Sequence, residues 1–108
     1  MQFLGIAKPN ADRLSSMSLD DWAVVAQQEA QHAKDVYLRG TMRHIWLRGD
    51  GRGAVAMFEA ESIEHMREIA SSFPLMKVGL YEFEIIPLLP YDGYFGHTSD
   101  SATNERKP

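Results

Sequence analysis

A chain of 108 residues with 44% apolar side chains can bury one modest core, and leaves no room for a second domain. With 15 acidic against 11 basic residues the formal charge is -4, which excludes a broad positive surface for a phosphate backbone and makes nucleic acid an unexpected partner. The absence of cysteine excludes disulfides, a thiol nucleophile and thiolate metal sites.

The N-terminal MQFLGIAKPN lacks the basic region and cleavage pattern of a secretory signal, and no run approaches the roughly 20 apolar residues of a membrane span. A soluble, cytoplasmic protein with no membrane partner is expected. Residues 2–7 form an apolar run stopped by Lys8-Pro9-Asn10, which reads as a first strand and a turn. Ser18 or Asp20 can cap a helix that runs without Gly or Pro to Arg39, with Gly40 as its stop. Residues 41–48 mix β-branched and aromatic types, the glycines at 49, 51 and 53 supply a hairpin turn, and residues 54–59 return as a third element of sheet. Ile63, Met66, Ile69 and Ala70 recur at helical spacing within residues 62–71, which Phe73-Pro74 closes. Residues 80–88 set Tyr81, Phe83 and Ile85 against Glu82, Glu84 and Ile86, a last strand ended by prolines.

Strand, helix, strand, strand, helix, strand, joined by right-handed crossovers, gives a ferredoxin-like βαββαβ α+β domain: a four-stranded antiparallel sheet with both helices on one face. The domain is expected over residues 1–96, with residues 97–108 as a flexible tail and the aromatic stretch 91–95 as an arm for a neighbouring subunit. Strict alternation would put Met42 and Trp46 on one face of the second strand, and Ile45 and Leu47 on the other. The sheet face without helices would then be an apolar patch that a second copy should cover, as in a dimeric α+β barrel.

On the first long helix Trp22, Val25, Ala26, Ala33 and Val36 make an apolar stripe, with Glu29 at its centre. A carboxylate in a buried seam must be protonated, paired or facing a cavity. Two readings stay open: an acid/base group in an apolar cleft, or an ion pair with Arg43 or Arg48 that fixes helix to sheet. Arg43 and His44 could bind a substrate carboxylate or an enolate oxygen, but alternation points them to opposite faces unless a bulge intervenes. Trp22 and Tyr37 on the helix and Trp46 on the strand are the aromatic candidates for substrate contact. His32 lies near Glu29 on the helical wheel, while His32, His65 and His97 lack the spacing of a metal site. No nucleophile elbow or P-loop is present, and Gly49-x-Gly51-x-Gly53 sits in a hairpin rather than at a helix start, so no cofactor is expected.

The stretch Gly40-Thr41-Met42-Arg43-His44-Ile45-Trp46, with Glu29 before it and Phe58-Glu59, Ser62 to Ile69 and Phe73-Pro74-Leu75 after it, resembles the muconolactone isomerase family over roughly residues 20–90. That family shows glycine, threonine, aromatic, arginine, histidine, aliphatic and tryptophan in this order, and a glutamate at the position of Glu29. Its first strand carries histidine and lysine where this chain has Leu4 and Ile6, a departure that would remove polar substrate lining. The resemblance implies a homo-oligomeric enzyme acting on a small molecule: a cofactor-free proton shift in an unsaturated lactone acid, with Glu29 moving the proton and Arg43 or His44 holding the substrate's oxygens. A cofactor-free oxygenase or polyketide cyclase on the same barrel, or a non-catalytic binding module, are the competing readings.

Overall fold

The computed structural model describes residues 1–91. The elements run β1 (Gln2–Pro9), α1 (Ala11–Ser15), α2 (Leu19–Leu38), β2 (Met42–Leu47), β3 (Ala54–Glu59), α3 (Ile63–Ser71), α4 (Pro74–Lys77) and β4 (Tyr81–Leu88). The four strands form one antiparallel sheet in the order β2-β3-β1-β4, the ferredoxin-like arrangement expected from the order of elements. Among the described residues no helix is long and apolar enough to cross a membrane. The expected arm beyond Tyr91 and the expected tail at 97–108 lie outside the described residues.

Local chemistry sets the boundaries. Ser18 Oγ accepts the backbone N–H of Asp21 and opens α2, while Gly40 follows its last turn at φ +79°. Ser62 Oγ accepts the N–H of His65 and opens α3 in the same way. Two short helices come in addition to the expected elements. Asn10, read from sequence only as a turn residue, caps α1 through its side chain, and Pro74, read as the end of a helix, instead stands at the first position of α4, where a missing N–H costs nothing.

Register divides the sheet into two faces. Phe3, Gly5 and Ala7 of β1 lie beside Phe58, Ala56 and Ala54 of β3, and on the other side beside Pro87, Ile85 and Phe83 of β4. Both long helices cover this inner face. Val36 of α2 and Met66 and Ala70 of α3 join Phe3, Met42, Phe58 and Phe73 in one core. Burying each of the larger side chains contributes about 1.5–3 kcal/mol. Gly5 is required here, because a Cβ would come within 2.4 Å of the Phe83 ring and 2.9 Å of the Phe58 ring.

The outer face carries Leu4 and Ile6 beside Met57 and Val55, with Ile86 and Leu88 on β4 and His44 and Trp46 on β2. Sequence alternation placed Met42 with Trp46; the register corrects this. Met42 pairs with Phe58 and His44 with Met57, so Arg43 is an extra residue in a bulge. Met42, on one side of the bulge, is buried in the core, whereas Trp46 is half-exposed on the outer face, where its ring stacks on His44 at 5.4 Å. Ile45 and Leu47 return to the inner face, beside Ala56 and Ala54.

Candidate active site

Between α2 and the inner face of the sheet lies a cavity of about 470 Å3. Its existence follows from side-chain size. Toward its C-terminal end α2 packs directly onto the core through Val36. One to three turns earlier the same stripe offers Ala26, Ala30 and Ala33, and the sheet beneath offers Ala7 and Ala54, so nothing fills the gap. Trp22 lines it from α2, Phe73, Leu75 and Met76 from the α3–α4 region, and Tyr81 and Phe83 from β4. The hairpin between β2 and β3 adds Arg48, Gly51 and Gly53. Gly53 has φ +117°, and a Cβ there would stand 1.9 Å from the carbonyl oxygen of Ala7, so this close approach of hairpin to β1 is open to glycine alone.

Glu29 borders this cavity and also a smaller apolar recess of about 50 Å3 lined by Gly5, Met42, Ala56, Phe58, Phe73 and Phe83. Its Oε1 accepts the backbone N–H of Leu75 at 3.0 Å. Leu75 is the second residue of α4, a helix whose own cap residue, Phe73, makes no side-chain cap hydrogen bond. Glu29 therefore supplies the missing acceptor from another element. Among the described residues no cation pairs with it: Arg48 is taken by Asp50, and neither Arg43 nor Arg48 makes the ion pair that one sequence reading allowed. Burial pushes the Glu29 carboxyl above its ordinary value, and the Leu75 hydrogen bond offsets this only in part. A carboxyl so held takes up a proton more readily than a free glutamate, is accessible from the cavity and is fixed in position, which is what a group that removes and returns a proton needs.

Of the residues picked from sequence, the structure brings Glu29 and Trp22 together. Arg43, His44, Trp46 and Tyr37 do not line this cavity. Arg43 lies in the bulge, His44 and Trp46 stack on the outer face, and Tyr37 is exposed on α2. Leu4 and Ile6 also point to the outer face, so the departure at those positions leaves the walls of the Glu29 cavity unchanged and makes the opposite face greasier. His32 turns away from the cavity. The Ser72 hydroxyl donates to the carbonyl of Ile69 at 2.6 Å, so it accepts from His32 Nε2 at 2.8 Å, and the imidazole rests edge-on against Phe73 at 4.7 Å. Burial first, then Arg39 and Lys77, lower the pKa of His32 against an opposing effect of Asp35, and the lowered pKa favours its neutral form. It pins α2 to the segment that carries Leu75.

Arg48 was noticed in sequence only as a possible ion-pair partner. Its Nε donates to Asp50 Oδ1 at 3.1 Å and its Nη2 to Asp50 Oδ2 at 2.6 Å, while Asp50 Oδ1 also accepts the N–H of Arg52 at 3.0 Å. The arginine with an aspartate two residues on, inside a glycine-rich turn, was the available signal. Among the described residues no three His, Asp or Glu side chains are grouped as a metal site.

The family described as muconolactone delta-isomerase matches residues 1–93. Among solved structures the chain is similar to a muconolactone isomerase, with a TM-score of 0.71 at 19% identity over 84% of this chain and 91% of that one. It is also similar to the 5-chloro-2-hydroxyhydroquinone dehydrochlorinase of Burkholderia phenoliruptrix, solved with 2,5-dihydroxybenzoquinone, with a TM-score of 0.61 at 17% identity over 86% of this chain and 98% of that one. No curated protein sequence matches. At such identities the structures establish a shared fold, and the family match across most of the chain establishes descent: this chain belongs to the muconolactone delta-isomerase family.

Proposed function

We propose that the protein is an isomerase that moves a proton between two carbons of a small unsaturated lactone or related acid, without a cofactor, and that Glu29 carries the proton. The observation that carries this reading is a carboxyl with a raised pKa, unpaired by any cation among the described residues, on the wall of an otherwise apolar cavity. Ionised, Glu29 removes a proton from the ring carbon made acidic by the neighbouring unsaturated carbonyl. The charge passes into a dienolate, and the protonated Glu29 returns the proton to another carbon of the conjugated system. The low polarity around it destabilises the carboxylate, which makes it a stronger base, and favours the neutral acid that replaces it. The volume suits a small ring with a short side chain.

Sequence assigned the oxygen-holding role to Arg43 or His44; in this proposal that role passes to groups on the cavity wall. The outer face, which brings the half-buried Leu4, Ile6, Met57 and Ile86 together with the half-exposed Trp46, supports assembly of two or more copies sheet against sheet. Incubation with muconolactone in deuterium oxide tests the reaction. Conversion to the isomer supports it, with deuterium in the product only to the extent that the Glu29 proton exchanges with solvent before its return; recovery of unchanged lactone at high enzyme concentration contradicts it.

A further inference from the structure

We propose that Arg48, braced by Asp50, is the anion-binding residue of the Glu29 cavity, so that the substrate is an organic carboxylate whose charged end sits at the β2–β3 hairpin and whose reacting carbon sits at Glu29. This rests on reading the cavity as the substrate site, and adds which group recognises the ligand and which way round it lies.

Among the described residues on the cavity wall, where the Tyr81 phenol is a further polar group, the two carboxylate or cationic side chains are Glu29 and Arg48. They belong to different parts of it. Glu29 also borders the inner recess, and Arg48 does not; Arg48 shares its part of the wall with Gly51 and Gly53 of the hairpin. A carboxylate entering an apolar cavity beside a second carboxylate would be doubly unfavourable, by desolvation and by repulsion. Placing the ligand's charge at Arg48 lowers both costs, since a cation then faces it and Asp50 holds the other edge of the guanidinium, and leaves the neutral, unsaturated portion against Glu29.

The geometry of Arg48 suits this role. A guanidinium has five N–H donors, and two are used on Asp50, one from Nε and one from Nη2. The edge formed by Nη1 and the second hydrogen of Nη2 keeps three donors free of Asp50, a pattern that matches a carboxylate with two parallel hydrogen bonds. Asp50 is itself fixed by the backbone N–H of Arg52, and the Arg48 backbone is held across the hairpin by its N–H on the carbonyl of Gly53 at 2.8 Å. The brace holds the fork in one orientation before a ligand arrives, which lowers the ordering cost of binding. Gly51 and Gly53, which line the same cavity, add no side-chain bulk to this part of its wall.

The test measures binding, so it does not depend on turnover. Calorimetric titration of the full chain carrying Glu29→Gln uses two probes: muconolactone, a carboxylate, and its methyl ester, which has the same ring and no charge. The acid is expected to bind about tenfold or more tightly than the ester. In Glu29→Gln with Arg48→Met the preference falls to within about threefold, with ester affinity little changed, and Arg48→Lys, which keeps the charge and loses the fork, restores part of it. Thermal melts of each variant show whether it is folded, and the acid-to-ester ratio of Glu29→Gln alone decides if Arg48→Met is not. Equal binding of acid and ester, binding of neither, or a preference that survives Arg48→Met overturns the proposal. If wild-type protein fails to isomerise muconolactone while the Arg48-dependent preference stands, the proposed reaction falls and the anion site remains; turnover with equal binding of both probes is the reverse.

Discussion

The backbone N–H of Leu75 donates to Glu29 Oε1 at 3.0 Å, so the carboxyl that faces the cavity also completes the first turn of α4. One hydrogen bond thus joins the candidate base to the packing of the fold. Glutamine can accept the same bond, which makes Glu29→Gln a clean way to remove the base while leaving the turn in place.

Burial raises the Glu29 pKa, so the folded chain holds that proton more tightly than the unfolded chain. The stability linked to it is complete below the ordinary glutamate range and is lost as pH climbs through the raised folded value. Thermal melts should therefore show Glu29→Gln gaining on wild type between acid and neutral pH. A gap that stays constant from pH 4 to about pH 8 would mean that Glu29 is not desolvated as described. For the same reason the acid limb of kcat/KM should lie above the range of a free glutamate.

Ala26 and Ala30 keep the cavity open. Ala26→Leu adds apolar volume to empty space rather than to a packed core, so the melting temperature should hold or rise while KM for any substrate of this site increases by about tenfold or more. Unchanged KM would place the substrate elsewhere.

Two glycines at positive φ give a contrast in cost. At Gly40, φ +79°, an added Cβ meets nothing within 4 Å, and Gly40→Ala should cost only the left-handed penalty, about 1 kcal/mol. At Gly53, φ +117°, the Cβ would be 1.9 Å from the Ala7 carbonyl oxygen, and Gly53→Ala should cost about 3 kcal/mol or more as the hairpin is pushed off β1. Denaturant titration of both variants measures the difference.

Met57 stands at the middle of the outer face, level with Leu4 on one side and His44 on the other. Met57→Glu places a charge in the surface that a second copy is proposed to cover. Light scattering should show the assembly dissociating to single chains, with the helical signal retained. An unchanged mass would rule this face out as the contact.

Much of the fold was legible because each signal was local. Ser18 with Gly40, and the three glycines of the hairpin, announced their boundaries through cap and turn chemistry alone. The bulge at Arg43 was not legible, since an extra residue shifts alternation without leaving a mark in composition, and it is this shift that sends Met42 to the core and Trp46 to the outer face. Glu29 was visible as a carboxyl in an apolar stripe. What it meets was not: the cavity depends on alanines from α2, β1 and β3 meeting in space, and the Leu75 N–H that binds Glu29 lies 46 residues away. Arg48 was visible only as a possible partner of Glu29 and not as a ligand group, because a turn arginine next to an aspartate is ordinarily a surface ion pair, and the closeness of the hairpin to β1 is what puts it on the cavity wall.

The central claim, that Glu29 is the group that moves the proton, is tested most directly by single-variant kinetics with muconolactone. Glu29→Gln should lower kcat by about a hundredfold to ten-thousandfold with little change in KM or in the melt at acid pH, and Glu29→Asp, whose shorter side chain keeps the acid, should recover part of the rate. A Glu29→Gln protein that is folded and turns over at the wild-type rate would contradict the account.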